Sequence, residues 1–142
     1  MPIDKDVVTS RLSHMREHTK FLKNVTSIPF EEFESDQRNC LSAQHAAQLA
    51  IECAIDIGSH IISALDLGQV ETYAKIFETL ALNGIIDKSL AEKLSKMAGF
   101  RNILVHEYLA VDLKLVYENI RQGIDDFIAF VKAVTAFLEK TA

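Results

Sequence analysis

The segment LKLVYENIRQGIDDFIAFVKAVTAFLEK, residues 113–140, carries an uninterrupted helical pattern of apolar side chains. Its apolar residues recur every three or four positions, which places them on one face of an α-helix. Asp112 is the expected N-cap. The residues expected to be buried are Val116, Ile120, Phe127, Val131, Val134 and Leu138. A second stripe of Tyr117, Phe130 and Phe137 makes the helix apolar over a wide arc.

The same spacing predicts four more helices, over about residues 4–27, 36–65, 72–82 and 88–108. Pro29 ends the first, because the residue before a proline is pushed out of the helical region. The short stretch 30–33 is expected to be a connector with at most a turn of helix. The second helix is about 45 Å long, and a kink is expected near Gly58. Gly84 supplies the left-handed conformation that stops the third.

These segments predict an all-α, up-and-down bundle of four long helices plus one short helix, in a single domain over residues 1–142. Five Gly and two Pro leave too few turn residues for a sandwich or barrel. An apolar content of 49% excludes intrinsic disorder. No apolar run approaches the roughly 18 residues that a membrane span needs. The second stripe and the long second helix exceed what a monomer core requires, so we expect a homodimer, against the alternative of a fully internal core.

Charge and the N-terminus bear on partners and location. The formal net charge is −5, which argues against a dedicated duplex-DNA binder, since such proteins show a basic face. A small nucleic-acid site formed by a few local cations remains compatible with that balance. The first ten residues have neither the basic nor the apolar region of a signal peptide, and no membrane partner is expected, so we expect a cytoplasmic protein.

The cysteine residues and most histidine residues are expected to have structural roles and not catalytic or metal-binding ones. Cys40 and Cys53 lie thirteen residues apart on one predicted helix, roughly 20 Å along its axis, too far to form a disulfide. They are expected to be small buried side chains. His14 and His18 have a spacing that can bind metal, but no third ligand lies nearby in sequence. We therefore expect no metal and no cofactor.

The stretch Gly99-Phe-Arg101-Asn102-Ile-Leu-Val-His106-Glu-Tyr108 is the exception. On a helix, Arg101 and Tyr108 lie within about 20° of one another, and Asn102 and His106 within about 40°. Arg101 and His106 are about 140° apart, so their convergence on one ligand requires a local bulge, a helix end, or a two-fold axis that pairs two copies. A guanidinium and an imidazole suit phosphodiester chemistry. The alternative is an arginine paired with a nearby carboxylate and a buried, hydrogen-bonded histidine.

The run from Arg101 to Tyr108 is the R-x4-H-x-Y signature of the HEPN superfamily, in the form found in HepT-like ribonuclease toxins. Two further stretches, AIDIGSHII at 54–62 and TYAKIF at 72–77, also resemble that family's helices. The resemblance covers nearly the whole chain, about residues 4–138.

This resemblance implies a homodimeric, metal-independent endoribonuclease that acts as the toxin of a toxin–antitoxin module. Arg101 would stabilise the scissile phosphate, and His106 would be the general acid and base for attack by the 2′-hydroxyl, giving a cyclic phosphate. Asn102 would orient His106 or the phosphate. Tyr108 would accept AMP from a minimal nucleotidyltransferase antitoxin. RNA is the implied substrate, and DNA is not expected.

One alternative function and the roles of Asp56 and Gly99 stay open at this point. HEPN domains also act as non-catalytic subunits that present a nucleotide or substrate to a nucleotidyltransferase. A buried Asp56 would orient a cation of the cleft, although an ion pair or hydrogen bond within the bundle, with His60 four residues on, is the favoured alternative. Gly99, in mid-helix, suggests a close approach by another helix or by a second copy of the chain.

Overall fold

The computed structural model describes residues 3–106 and 112–141, and these residues form six α-helices and no strand. The helices are α1 Lys5–Val25, α2 Phe30–Ser35, α3 Gln37–Ala64, α4 Tyr73–Leu82, α5 Lys88–His106 and α6 Leu113–Lys140. The all-α class is confirmed. The expected number of helices was one too few, because the connector after Pro29 forms the separate six-residue helix α2. In the part of the chain that is described, no helix is long and apolar enough to cross a membrane.

Short polar side chains begin the helices where the sequence places them. Asp36 accepts a hydrogen bond from the Arg38 backbone N–H at 2.9 Å, and Asp87 accepts one from Leu90 at 2.7 Å. The remaining caps of this kind are Asp4, Thr72 and Asp112. Each satisfies a backbone donor that has no partner inside the helix, and so fixes the first turn.

Helix α3 lies at the centre of the molecule and packs against all five others. Its buried face is rich in small residues, with Ala43, Ala47 and Ala50 fully covered. Small side chains let neighbouring helix axes approach, and larger residues from the surrounding helices fill the remaining space. The largest of these are Phe33, Phe77, Phe127 and Phe130, each less than 2% exposed.

The second apolar stripe of α6 is mostly internal, which corrects one premise of the expected dimer. Tyr117 packs against the rings of Phe30 and Phe33, with centroids 5.4 and 5.1 Å away. Its hydroxyl donates to the carbonyl of Ile28 at 2.6 Å. Phe130 meets Phe77 edge-on at 6.2 Å. The wide apolar arc therefore contributes to the core of a single chain, and the homodimer stays a prediction that rests on other grounds.

Gly58 has a packing role. Helix α3 runs continuously through this residue, and a Cβ built on it would lie 2.5 Å from Cγ2 of Ile76 on α4. Real Cβ atoms do not approach other carbon atoms that closely. The glycine therefore lets α4 lie directly on α3, and this contact places the start of α4 beside the motif on α5.

Candidate functional site

Helix α5 carries residues Arg101 to His106 of the motif on a regular helical backbone. Leu94, Ala98 and Leu104 of this helix are buried in the core, so α5 is fixed along its length. Asn102 is exposed and Arg101 is half-buried. His106 is the last described residue of α5, and its side chain, like the whole of Tyr108, lies outside the described residues.

Arg101 is held by a carboxylate from the central helix. Its Nη2 donates to Oε1 of Glu52 on α3 at 2.8 Å, with the two side chains 21% and 32% exposed. The same oxygen accepts a hydrogen bond from the amide of Gln48, one turn earlier, at 3.2 Å. Charge-assisted bonds of this length are roughly twice as strong as neutral ones. The guanidinium is therefore oriented before any ligand arrives.

The aromatic ring of Tyr73, at the start of α4, supplies a second wall for the same guanidinium. The Arg101 Cζ atom lies 5.8 Å from the ring centroid, within the range of a cation–π contact. Arg101 Nε is buried and has no hydrogen-bond partner among the described residues. A buried donor without a partner costs free energy. Separately, Glu52 uses only Nη2, so Arg101 keeps other guanidinium donors for an anionic ligand.

An open cleft of about 450 Å³ lies beside this cluster, between α4 and α5. It is lined by Thr72 and Tyr73 from one side and by Ser95, Gly99 and Asn102 from the other. No atom of the described chain lies within 4 Å of a Cβ built on Gly99. The close approach expected at Gly99 is therefore not made by another helix of the same chain, and a second copy remains the expected occupant.

Glu52 was not identified from the sequence, where Asp56 was the acidic candidate on this helix. They are the only two acidic residues of α3, one turn apart. Asp56 is exposed, and its carboxylate makes no ion pair or hydrogen bond within the described residues. No contact there supports either expected role, which were to orient a cation of the cleft or to pair within the bundle. The sequence pointed to such a residue only through the alternative reading, in which Arg101 pairs with a nearby carboxylate. The structure contains that pair.

His60 has a structural contact. The backbone N–H of Asp4, the residue that caps α1, donates to Nε2 of His60 at 3.1 Å. This hydrogen bond fastens the beginning of α1 to the last turns of α3. His60 thus makes a contact within the bundle, as the favoured alternative expected, although its partner is Asp4 and not Asp56.

The remaining titratable candidates do not form a centre. Partial burial, followed by the charge of His14, lowers the pKa of His18. No group of three or more His, Cys, Asp or Glu side chains in residues 3–106 and 112–141 is arranged to hold a metal ion. Cys40 and Cys53 are both free and buried, and burial raises the pKa of each thiol. Raised values disfavour the reactive thiolate, so both cysteines act as core residues.

Comparison with known proteins gives close matches in sequence and structure. The chain is 28% identical over 136 residues to the tRNA nuclease HepT of Aphanizomenon flos-aquae, covering 96% of this chain and 92% of that protein. It is 35% identical over 89 residues to the mRNA nuclease HepT of Shewanella oneidensis, covering 63% and 67%. The solved structure of a tri-AMPylated Shewanella oneidensis HEPN toxin in complex with an MNT antitoxin superposes with a TM-score of 0.84 at 28% identity, over 92% of this chain and 98% of that one.

A match to a protein-family model agrees with these similarities. The model described as Ribonuclease HepT-like matches residues 15–134, which include Glu52, Arg101 and the whole R-x4-H-x-Y motif. The matched range spans five of the six helices completely or nearly so, from the second half of α1 to the last turns of α6. The chain therefore belongs to the HepT-like ribonuclease family.

Proposed function

We propose that this protein is an endoribonuclease toxin of a toxin–antitoxin module, and that Arg101 and His106 carry its metal-independent cleavage of RNA in the cytoplasm. The observation that carries the proposal is the orientation of Arg101 by Glu52, which contacts Nη2 and leaves other guanidinium donors for a phosphate. Fixed donors aimed at developing charge are the largest single contribution to catalysis in many enzymes. The relatives named as tRNA and mRNA nucleases support RNA as the substrate.

The reaction uses the substrate's own nucleophile. His106 accepts the proton of a ribose 2′-hydroxyl, and the resulting oxygen attacks the adjacent phosphorus. The bond from phosphorus to the 5′-oxygen of the next nucleotide breaks, and that oxygen receives a proton from the imidazolium. The products are a 2′,3′-cyclic phosphate and a free 5′-hydroxyl. Arg101 stabilises the charge on the phosphoryl oxygens, and Asn102 orients the phosphate or the imidazole.

The helical geometry supports a site made from two copies of the chain. Because α5 is helical from Lys88 to His106, backbone positions 101 and 106 lie about 140° apart around its axis. A helix without a bulge leaves two arrangements in which both residues could act on one phosphate: a helix end, or a two-fold axis that pairs two copies. A homodimer in which Arg101 of one copy faces His106 of the other satisfies the chemistry, and the unfilled space at Gly99 is consistent with a partner at this face.

Inactivation follows when a minimal nucleotidyltransferase antitoxin transfers AMP from ATP to the phenol oxygen of Tyr108, with release of pyrophosphate and the phenol proton. Tyr108 follows His106 by two residues, so an added phosphodiester and adenosine would lie beside the cleavage site. The negative charge would pair with the cation intended for RNA, and the base would exclude the substrate. The AMPylated HEPN toxin seen in complex with its antitoxin supports this proposal.

AMP transfer is tested by co-expression with the nucleotidyltransferase. The intact mass of the wild-type protein is expected to rise by whole AMP increments, because the phenol oxygen becomes the acceptor. Tyr108→Phe removes only that oxygen and is expected to keep the unmodified mass. An equal mass increase in both proteins would reject Tyr108 as the acceptor.

Growth of cells that express the protein alone tests the toxin function. Wild-type protein is expected to slow growth, while Arg101→Ala and His106→Ala are expected to restore it, because each removes one half of the catalytic pair. Glu118→Gln, a change on the exposed side of α6, serves as the control and is expected to stay toxic. Equal growth with wild type and both variants would favour the non-catalytic reading, a subunit that presents a ligand to a nucleotidyltransferase.

A further inference from the structure

A second surface, apart from the Arg101 cluster, carries an unusual arrangement of charge. A groove of about 530 Å³ runs between α1 and α6. A cleft of about 350 Å³ continues it toward the start of α1, because both are lined by Arg16, Thr135 and Glu139. We call the two together the α1–α6 groove. Helices α3, α4 and α5, which build the Arg101 cluster, contribute no residue to its lining.

Five cations line the α1–α6 groove: Lys5, Arg16, Lys20, Lys23 and Lys132. All five are exposed, and none lies within 4 Å of a carboxylate of the described chain. Five other cations are paired with acidic side chains: Arg38, Lys75, Lys93, Arg101 and Lys114. Among the described residues, Glu139 is the only acidic residue that lines the groove. A protein with net charge −5 thus places in one groove half of the ten cations that have no carboxylate partner in the described chain.

The charges of the groove favour a polyanion over a protein helix. Most of its accessible lining is apolar, but its large apolar residues are covered, since Val131 is 7% exposed and Ile128 is half-buried. The large hydrophobic side chains that are exposed in the described chain all lie outside this groove. A docked amphipathic helix needs large apolar anchor sites, whereas the long exposed side chains here are five lysine and arginine residues.

The spacing of the cations suits an extended phosphate backbone. From Lys5 to Lys23 the groove follows α1 for roughly 27 Å. Lysines are flexible point charges that contact phosphates without reading sequence. A small anion would need converging donors, whereas these side chains are distributed along a line.

We infer that the α1–α6 groove binds the phosphate backbone of the RNA substrate. The nucleotides bound there are distant, along the RNA strand, from the bond that is cut. The inference rests on the proposed function and deepens it, because it assigns the protein a preference for long RNA over short fragments. It also explains how an acidic protein holds a polyanion, because five unpaired cations line one groove beside a single acidic residue of the described chain.

The test compares two double variants that change the net charge equally. Lys20→Glu/Lys132→Glu reverses one cation on each side of the groove. Arg38→Glu/Lys114→Glu reverses two exposed cations in the first turns of α3 and α6, where an acidic side chain is favoured by the helix dipole. Binding of a tRNA-length 2′-O-methyl RNA and of a hexamer of the same chemistry is measured over a range of salt concentrations. The 2′-O-methyl group blocks cleavage, so affinity is measured alone.

The groove variant is expected to lose about tenfold or more in affinity for the long RNA and to lower its salt slope by about 1.5, as expected for two lost phosphate contacts. Its affinity for the hexamer should stay within about twofold of wild type. The control variant should match wild type on the long RNA. An equal loss in both variants, an equal loss on both RNAs, or no loss would overturn the inference. So would unchanged RNA binding with a lost antitoxin complex, which would assign the groove to a protein partner.

The outcome is separable from that of the proposed function. Suppose that wild-type protein fails to cut unmodified RNA but the groove variant still loses affinity for the long 2′-O-methyl RNA. The nuclease proposal is then rejected, and the inference that the groove binds RNA is supported. If wild-type protein cuts RNA and both variants bind and cut long RNA equally well, the groove is rejected and the nuclease proposal stands.

Discussion

At the scale of single residues, the pair formed by Arg101 and Glu52 determines what the site can do. The carboxylate neutralises and orients the guanidinium at 2.8 Å, and Gln48 steadies that same carboxylate oxygen. In the proposed function, Arg101 receives the phosphate through donors that Glu52 does not use. Glu52 would then act through Arg101 as a positioning residue.

Glu52→Gln tests this role, because the amide keeps the size and one oxygen acceptor but removes the charge. A guanidinium that is less firmly held is misplaced at the phosphate, so we expect kcat for RNA cleavage to fall by roughly tenfold to a hundredfold. The control is Glu118→Gln on the surface of α6, which should cleave like wild type. Full activity of Glu52→Gln in steady-state kinetics would show that Arg101 is oriented by other contacts.

The sequence could predict part of this site and not the rest. Arg101, Asn102 and His106 stand together in one motif, so local spacing is enough to select them. Glu52 is 49 residues from Arg101, and its contact depends on how α3 and α5 pack, which periodicity does not specify. On α3 the sequence offered two carboxylates one turn apart, and only the packing distinguishes the exposed Asp56 from the paired Glu52.

At the scale of elements, local chemistry was sufficient to predict most helix ends. Asp36, Asp87 and Asp112 cap the helices that were expected to begin there, since capping depends on residues close in sequence. Contacts between elements were less predictable. Tyr117 and Phe130 are covered by rings from α2 and α4, more than fifty residues away, and a helical pattern alone cannot show which partner covers an apolar stripe.

Two helix glycines make a matched pair for testing the packing. Gly58→Ala places a Cβ against the branched side chain of Ile76, so we expect a loss of about 1–3 kcal/mol in the free energy of unfolding. Gly99→Ala meets nothing within 4 Å in the described chain and should raise the stability of the monomer by up to about 1 kcal/mol through helix propensity. Chemical denaturation of both variants measures the difference, and equal effects would contradict this account of Gly58.

At the scale of the whole molecule, the distribution of charge matters more than its sum. Most acidic and basic side chains lie on solvated helix faces, and the ion pairs described involve Arg38, Lys75, Lys93, Arg101 and Lys114. Unpaired cations are concentrated along α1 and α6. The acidic balance that argues against a dedicated duplex-DNA binder is therefore compatible with a protein that binds RNA through restricted surfaces.

The proposed homodimer also belongs to this scale. Backbone positions 101 and 106 lie about 140° apart around a regular helix, so we expect the protein to be a dimer at micromolar concentration in sedimentation velocity. Gly99→Leu, which fills the space left open on α5, is expected to shift it toward monomer, with Glu118→Gln as the control that stays dimeric. A monomeric wild-type protein that nevertheless cleaves RNA would require both residues to act from one chain.

The most direct test of the central claim is cleavage of RNA by purified protein in the presence of EDTA. We expect wild-type protein to produce fragments with 2′,3′-cyclic phosphate and 5′-hydroxyl ends, and Arg101→Ala and His106→Ala to leave the RNA intact. The attack by the 2′-hydroxyl needs only a base and a fixed cation. Complete dependence on an added divalent metal, or unchanged cleavage by either variant, would contradict it.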